Sequence, residues 1–159
     1  MATGKGTLDG LVAPDGTRVA LAIGRFNEDI TMQLRDGARA ALRAAGVGDE
    51  CVAEVWVPGA YELPLVAQHL ATAHDAVVAL GCVIRGDTGH YDFVAGECAA
   101  GLQRVQLDTG RPVVFGVLTV ENHEQAVERA ALDRMNKGGE AVDTAIEMLR
   151  TIASIKDIP

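Results

Sequence analysis

A parallel α/β sandwich is the fold class that this sequence predicts: three layers, with a small, mainly four-stranded sheet between helices. Three observations point to it. Four short apolar runs rich in valine recur along the chain. Each is followed by a stretch with helical spacing, and no linker-like segment interrupts the alternation. The length of 159 residues suits one domain with a sizeable core.

The first run is VALAIG (19–24), the second VAEVWV (52–57), the third AVVALGCVI (76–84) and the fourth PVVFGVLTV (112–120). The first, third and fourth are nearly continuous rather than alternating, which suits strands covered on both faces. After the first, Ile30, Leu34, Ala38, Ala41, Leu42 and Ala45 recur at three and four, and Gly46 ends the helix. ELPLVAQHLATAH follows the second, with Leu63, Val66, Ala67 and Leu70 on one face. After the third, Val94, Cys98, Leu102 and Val105 keep the period in a helix expected to start near Thr88. After the fourth, Asn122 with Gln125 three residues on reads as a capping box. A last helix carries Val142, Ala145, Ile146, Leu149 and Ile152. Residues 17–159 are expected to form one domain of flavodoxin-like topology. Residues 1–16 are polar and Gly-rich, an N-terminal extension in which TLDGLVA reads either as a tail or as a strand added to a neighbouring subunit's sheet.

Composition narrows the function. Charged residues are 23% and hydrophobic ones 48%, an ordinary globular balance. A formal net charge of -8 speaks against non-specific nucleic-acid binding. No apolar run reaches the ~18 residues of a membrane span, and the N-terminus lacks a hydrophobic signal core. The three cysteines, Cys51, Cys82 and Cys98, are odd in number and widely spaced, and read as buried free thiols of a cytoplasmic protein.

Ligands of open α/β sheets bind at the carboxyl ends of the strands. Four loops leave those ends: RFNED (25–29), PGAYE (58–62), RGDTGHYD (85–92) and ENHEQ (121–125). Phe26, Tyr61 and Tyr91 lie on them, as stacking surfaces or as plugs for the sheet's end. At RGDTGHYD a strand meets a helix start, a junction whose free N–H groups favour an anion. Thr88 can cap that helix, whereas the charge of Asp87 opposes a bound phosphate. No Walker-type or dinucleotide-binding glycine pattern is present, so neither ATP nor a dinucleotide is expected. His90, one turn into the helix, is either a proton carrier, since imidazole titrates near neutrality, or a surface histidine. His69 and His74 fit an amphipathic helix and its end, and His123 reads as solvated. His90 and Asp92 are too close for a usual metal-ligand pair, and no metal is expected. A surface salt bridge is the default for Arg129, and Lys137 reads as a loop lysine. Residue-level reasoning ends at an α/β protein with an anionic-ligand pocket and one candidate proton carrier.

Taken together, RFN, VPGAYELP, GCVIRGDTGHYDFV, PVVFGVLTVENHEQAVERA and NKGGEA, in this order, resemble the lumazine synthase family of riboflavin biosynthesis. The resemblance runs from about Gly16 to Ile152. It implies condensation of a ribitylamino-pyrimidinedione with a phosphorylated dihydroxybutanone, without a cofactor. Phe26 would stack on the pyrimidine ring. Ala60, Tyr61 and Glu62 would line the pocket, with Glu62 accepting from ribityl hydroxyls. Cys82, Val83 and Ile84 would offer backbone groups to the ring edge. Gly86, Asp87 and Thr88 would hold the phosphate, Arg129 would neutralise it from a neighbouring subunit, and His90 would move the proton. Phe115 and Lys137 would also come from the neighbour. The sequence departs from the family's common pattern at Asp87, Gly89 and Tyr61, and Asp87 should turn away from the pocket. Family members are pentamers, some closing into shells of sixty, and the short ERAALDRMNKGG segment resembles the shell formers. The resemblance also allows association with riboflavin synthase. A non-catalytic flavin- or lumazine-binding or shell-forming scaffold, and a monomeric flavodoxin-like phosphate binder, are the competing readings.

Overall fold

The computed structural model describes residues 10–159. Their sheet is all parallel: β1 (Val19–Gly24), β2 (Val52–Val57), β3 (Ala76–Ile84) and β4 (Val113–Val120) lie in the order β2-β1-β3-β4. Five helices connect and cover the strands: α1 (Glu28–Ala44), α2 (Leu63–Leu70), α3 (His90–Thr109), α4 (His123–Ala130) and α5 (Lys137–Ile155). The α/β sandwich and its flavodoxin-like strand order are as the alternation implied. The first three strands match the apolar runs residue for residue. The fourth starts one residue late, after Pro112, whose carbonyl accepts from Val77.

The sheet's two faces have different side chains because successive residues point to opposite sides. Val19, Leu21 and Ile23 of β1 face α1, α4 and α5, joined by Val78 and Leu80 of β3. Ala20 and Ala22 face α2 and α3, with Val77 and Ala79. Large residues therefore set the spacing on one side, and small ones let α2 and α3 approach on the other. Each fully buried Leu or Ile contributes ~1.5–3 kcal/mol relative to exposure, so β1 and β3 anchor both layers.

Local signals set the helix ends. Gly46 (φ +85°) follows α1 in the left-handed region. The N–H of Gly46 bonds the Arg43 carbonyl at 3.0 Å and that of Val47 the Leu42 carbonyl at 2.9 Å, the Schellman pattern. Asn122 caps α4 by accepting from the Gln125 N–H at 2.9 Å. The Gln125 amide returns to the Glu121 N–H at 2.9 Å, one residue before the partner a capping box normally uses. The expected helix at ELPLVAQHLATAH is shorter, a 3-10 turn over Ala60–Glu62 followed by α2 with Pro64 in its first turn. The helix at RGDTGHYD begins at His90 rather than near Thr88, so His90 is its first residue and not one turn inside.

The two outer strands differ from the sequence-based expectation. Along β4 burial is uneven, and Phe115 and Thr119 are exposed on the side where Val113 and Val117 are buried. The continuous apolar run is therefore not covered on both faces within one chain. On the opposite edge, β2 is half-buried up to Trp56. There Glu54 receives two bonds from Arg39, at 3.0 and 2.7 Å, and one from the Trp56 indole at 3.0 Å. Burial would raise the Glu54 pKa, but Arg39, Trp56 and Arg35 together hold it below the usual 4.5. Within the extension, residues 10–13 form no strand, although the Ala13 N–H reaches the Ala45 carbonyl at 2.9 Å. The start of TLDGLVA lies outside the described residues. Cys82 and Cys98 are buried free thiols, whereas Cys51 is only half-buried, at the rim where β2 starts.

Helix α5 docks on α1 through glycines. A side chain at Gly138 would run into the Leu34 carbonyl, and one at Gly37 into the Asn136 amide. Asn136, with φ +45°, caps α5 by accepting from the Gly139 N–H at 3.2 Å. This close approach fixes where α5 starts, and with it Lys137. Gly138→Ala is expected to destabilise the protein by about 1–3 kcal/mol, seen as a lower denaturant midpoint. An unchanged midpoint would show that the two helices are free to separate there.

Candidate active site

Three of the four strand-end loops converge, and glycines let them. The Arg25 N–H bonds the Val57 carbonyl at 2.8 Å and the Phe26 N–H the Pro58 carbonyl at 3.1 Å, strapping the β1 exit to the β2 exit. Gly24 lies against the Gly59 backbone, where an added Cβ would sit 3.3 Å from the Gly59 carbonyl carbon. A Cβ on Gly59 would stand 2.9 Å from the Phe26 ring. The ring thus lies over a position where only glycine leaves room, with Phe26 73% exposed. An aromatic held this way is a platform rather than a core plug.

Facing it is the end of β3, where Cys82 is buried and Val83 and Ile84 are half-buried. The start of α3 closes a third side with His90, and Phe93 stands three residues on, 72% exposed. Together they line a cleft of about 560 Å³ with Asn27, Gly59, Ala60, Tyr61, Glu62 and Val94. The volume and the mostly apolar walls with a few polar groups suit a small organic ligand. Every residue predicted for the pyrimidine and ribityl parts from this side is present: Phe26, Ala60, Tyr61, Glu62, Cys82, Val83 and Ile84, together with His90.

Burial pushes the Cys82 thiol up to about 12, with the charge of Asp29 adding to it, and burial alone does the same for Cys98. The cleft wall is therefore not a nucleophile near neutral pH. The Cys82 carbonyl, expected to face the ring edge, already accepts the Asn27 amide at 2.9 Å.

The fourth loop does not line this cleft. Its Glu121 instead holds Arg85, whose Nε donates at 3.0 and 3.3 Å to the carboxylate. The same guanidinium lies 3.5 Å from Asp92 and 4.1 Å above the Tyr91 ring centroid. Tyr91 is thus engaged with Arg85 and is not among the residues lining the cleft. Gly86, Asp87 and Thr88 line neither this cleft nor the next. They are exposed between Arg85 and the first turn of α3. The Thr88 hydroxyl accepts the His90 N–H at 3.4 Å, a long bond, and Gly89 stands at the cap position. Asp87 makes no ion pair or hydrogen bond among the described residues.

Phe115, Arg129 and Lys137 lie elsewhere, around a second cleft of about 510 Å³ along the outer edge of β4. Consecutive residues 114–119 border it, as do Glu140, Ala141 and Thr144 of α5. Lys137 is the first residue of α5, not a loop lysine, and pairs with Glu140 at 2.6 Å. Arg129 donates to the Gln125 carbonyl at 3.1 Å and meets no carboxylate among the described residues. The default expectation of a surface salt bridge is therefore wrong for it. Its fork remains available to an anion. No residue borders both clefts.

His123, expected to be solvated, bonds Asp29 through Nε2 at 2.6 Å and links α4 to α1. Among the described residues no His, Cys, Asp and Glu cluster could hold a metal, and no helix is long and apolar enough to cross a membrane. Sequence reasoning missed Phe93 and Val94, although spacings of three and four from His90 put them on one helix face. It also missed Asn27 and Glu140, for which sequence carried no signal beyond their neighbours.

The family model described as 6,7-dimethyl-8-ribityllumazine synthase matches residues 16–153. The 6,7-dimethyl-8-ribityllumazine synthase of Edwardsiella ictaluri (strain 93-146) is 54% identical over 153 residues, covering 94% of this chain and 98% of that protein. The enzyme of the same description from Yersinia pestis (strain Pestoides F) is 53% identical over 152 residues, covering 94% and 97%.

The thiol geometry predicts that iodoacetamide at pH 8 leaves Cys82 and Cys98 unmodified in the native protein and labels both in denaturant. A pKa of about 12 leaves only ~0.01% thiolate at that pH. Mass spectrometry of the native protein showing rapid labelling of Cys82 would mean that the cleft wall is open and polar.

Proposed function

The chain belongs to the 6,7-dimethyl-8-ribityllumazine synthase family, and from that premise we propose how its two clefts divide the reaction. It is a transferase of riboflavin biosynthesis that condenses 5-amino-6-(D-ribitylamino)uracil with 3,4-dihydroxy-2-butanone 4-phosphate. The observation that carries the division is that Phe26, Glu62 and His90 border one cleft while Phe115, Arg129 and Lys137 border another.

The first cleft takes the pyrimidine. Phe26 stacks on its ring, the backbone at Val83 and Ile84 meets the ring edge, and Ala60, Tyr61 and Glu62 line the ribityl side. Glu62 accepts from the hydroxyls. The phosphorylated ketone sits at the start of α3, where Gly86, Asp87 and Thr88 offer backbone N–H groups at the positive helix end. Asp87, free of any partner among the described residues, can turn its side chain to solvent while its N–H serves the anion.

The 5-amino group attacks the ketone, and the adduct loses water to form a Schiff base. Elimination then releases phosphate, and attack by the ribityl-bearing nitrogen closes the ring with loss of a second water. Each departure needs a proton delivered at an oxygen, and His90 at the cleft's edge is the group that supplies it. The rest of the rate comes from holding two substrates in contact.

The second cleft belongs to the neighbouring copy's site. Arg129 meets no carboxylate among the described residues, so it neutralises the phosphate, and Phe115 and Lys137 close over the ribityl side. Joining two different surfaces of identical chains is a heterologous contact, which closes into a ring when the rotation permits. We assign a pentamer, with the short connection between α4 and α5 favouring a shell of twelve pentamers and leaving room for riboflavin synthase association. Three free thiols suit a cytoplasmic setting.

Mixing the protein with both substrates should give the absorbing, fluorescent lumazine above the spontaneous rate. Arg129→Ala should raise KM for the phosphorylated substrate by roughly tenfold or more and leave the pyrimidine KM near its original value. An Arg129→Ala enzyme with unchanged kinetics would remove Arg129 from the phosphate site.

A further inference from the structure

We infer that Asn27 is a positioning residue that holds the pyrimidine platform against the end of β3. This rests on reading the first cleft as the pyrimidine site.

Asn27 stands where a helix cap should stand, but does not act as one. The chain has three asparagines at helix N-caps. Asn122 and Asn136 accept from N–H groups of their own first turns, at 2.9 and 3.2 Å. Asn27 makes no such bond. Its Nδ2 instead donates to the Cys82 carbonyl at 2.9 Å, 55 residues away in sequence. Only its backbone carbonyl serves α1, accepting from the N–H groups of Ile30 and Thr31 at 2.9 and 3.0 Å.

The backbone at Asn27 is left-handed, with φ 57° and ψ 52°. Residues with a Cβ seldom adopt that conformation, and Asn tolerates it better than most. The turn points the amide away from the helix and across to β3. Because the atom facing a carbonyl must be the donor, this contact also fixes which way round the amide lies.

The consequence falls on Phe26, the preceding residue. Its own N–H is tied to Pro58, and its ring rests on Gly59, so it is fixed to the β2 exit. Asn27 supplies the tie to β3, whose next residues, Val83 and Ile84, form the wall opposite the ring. Without that bond the ring's loop has the strand pairing of β1 with β3, which ends at Ile23 and Leu80, but lacks the tie at Cys82 beside the wall. The gap between ring and wall is the width into which a flat heterocycle must fit, so Asn27 acts on the pyrimidine through Phe26.

Asn27→Asp and Asn27→Gly separate the bond from the backbone. Both residues accept the left-handed conformation, and neither can donate to Cys82. The full-length assembled protein would be studied by calorimetric binding of the ribitylamino-pyrimidinedione alone, steady-state kinetics, thermal unfolding and oligomeric mass. Both variants should keep the native mass and raise Kd and KM for the pyrimidine by roughly tenfold, with KM for the phosphorylated ketone within about twofold. Adding Asn27→Asp to Phe26→Ala should cost nothing further, because the two act as one unit. An unchanged pyrimidine KM would overturn the inference. So would equal rises in both KM values with a lowered melting temperature, or losses that add in the double variant. Wild-type turnover run alongside keeps the two readings apart. A wild type that makes no lumazine removes the reading of the cleft, whereas an active wild type with an unaltered Asn27→Asp removes only this assignment.

Discussion

Along its outer edge, β4 sets Phe115, 42% exposed, beside Val114, Val117 and Leu118, and borders an open cleft of about 510 Å³. A long apolar strand with a free edge pairs or packs with another chain unless something blunts it. Here charged and flat groups gather at that edge: Arg129, which meets no carboxylate among the described residues, Lys137 held by Glu140, and the Phe115 ring. In the proposed division of the reaction, this edge is covered by a surface that brings an anion and a polar ligand with it. The other cleft offers such a surface. This constraint orders the rest of the molecule, since the docking of α5 on α1 through Gly138 places Lys137 at the edge.

The first cleft depends on backbone rather than on side-chain charge. Gly24 and Gly59 let two loops touch, a left-handed Asn27 reaches a third, and the Phe26 ring lies on the result. Polar side chains nearby are engaged with other elements: Arg85 with Glu121, His123 with Asp29. What remains for a ligand is an apolar slot with Glu62 and His90 at its rim. Such a site works by holding and orienting, in keeping with a condensation that requires two substrates to meet.

The strands were legible because Val, Ala and Leu crowd into short runs, and the structure begins and ends them within one residue of those runs. The cover on β4 was not legible. A continuous apolar run looks the same whether a chain's own helix or another chain covers it. Lys137 read as a loop residue because Asn136 and two glycines look like a turn, whereas the same residues cap and dock α5. His90 read as lying one turn into its helix rather than as its first residue, and its place in the cleft depends on β1 and β2 arriving beside it. Arg129 looked like any surface arginine, because whether a carboxylate reaches it is a fact of three dimensions. Its assignment, and those of Phe115 and Lys137, came from family resemblance and not from spacing. Asn27 stood only as part of RFN and RFNED with no role of its own, since its reach to the Cys82 carbonyl depends on the turn it makes.

The central claim is that each site takes His90 from one chain and Arg129 from another. His90→Ala and Arg129→Ala proteins, each impaired at subsaturating phosphorylated substrate, dissociated, mixed in equal amounts and reassembled, test it directly. Random assembly into closed rings puts both native residues in about a quarter of the sites, so the mixture should regain roughly that share of wild-type activity at subsaturating phosphorylated substrate. A mixture no more active than the mean of its two components would contradict the account and place both residues in the same chain's site.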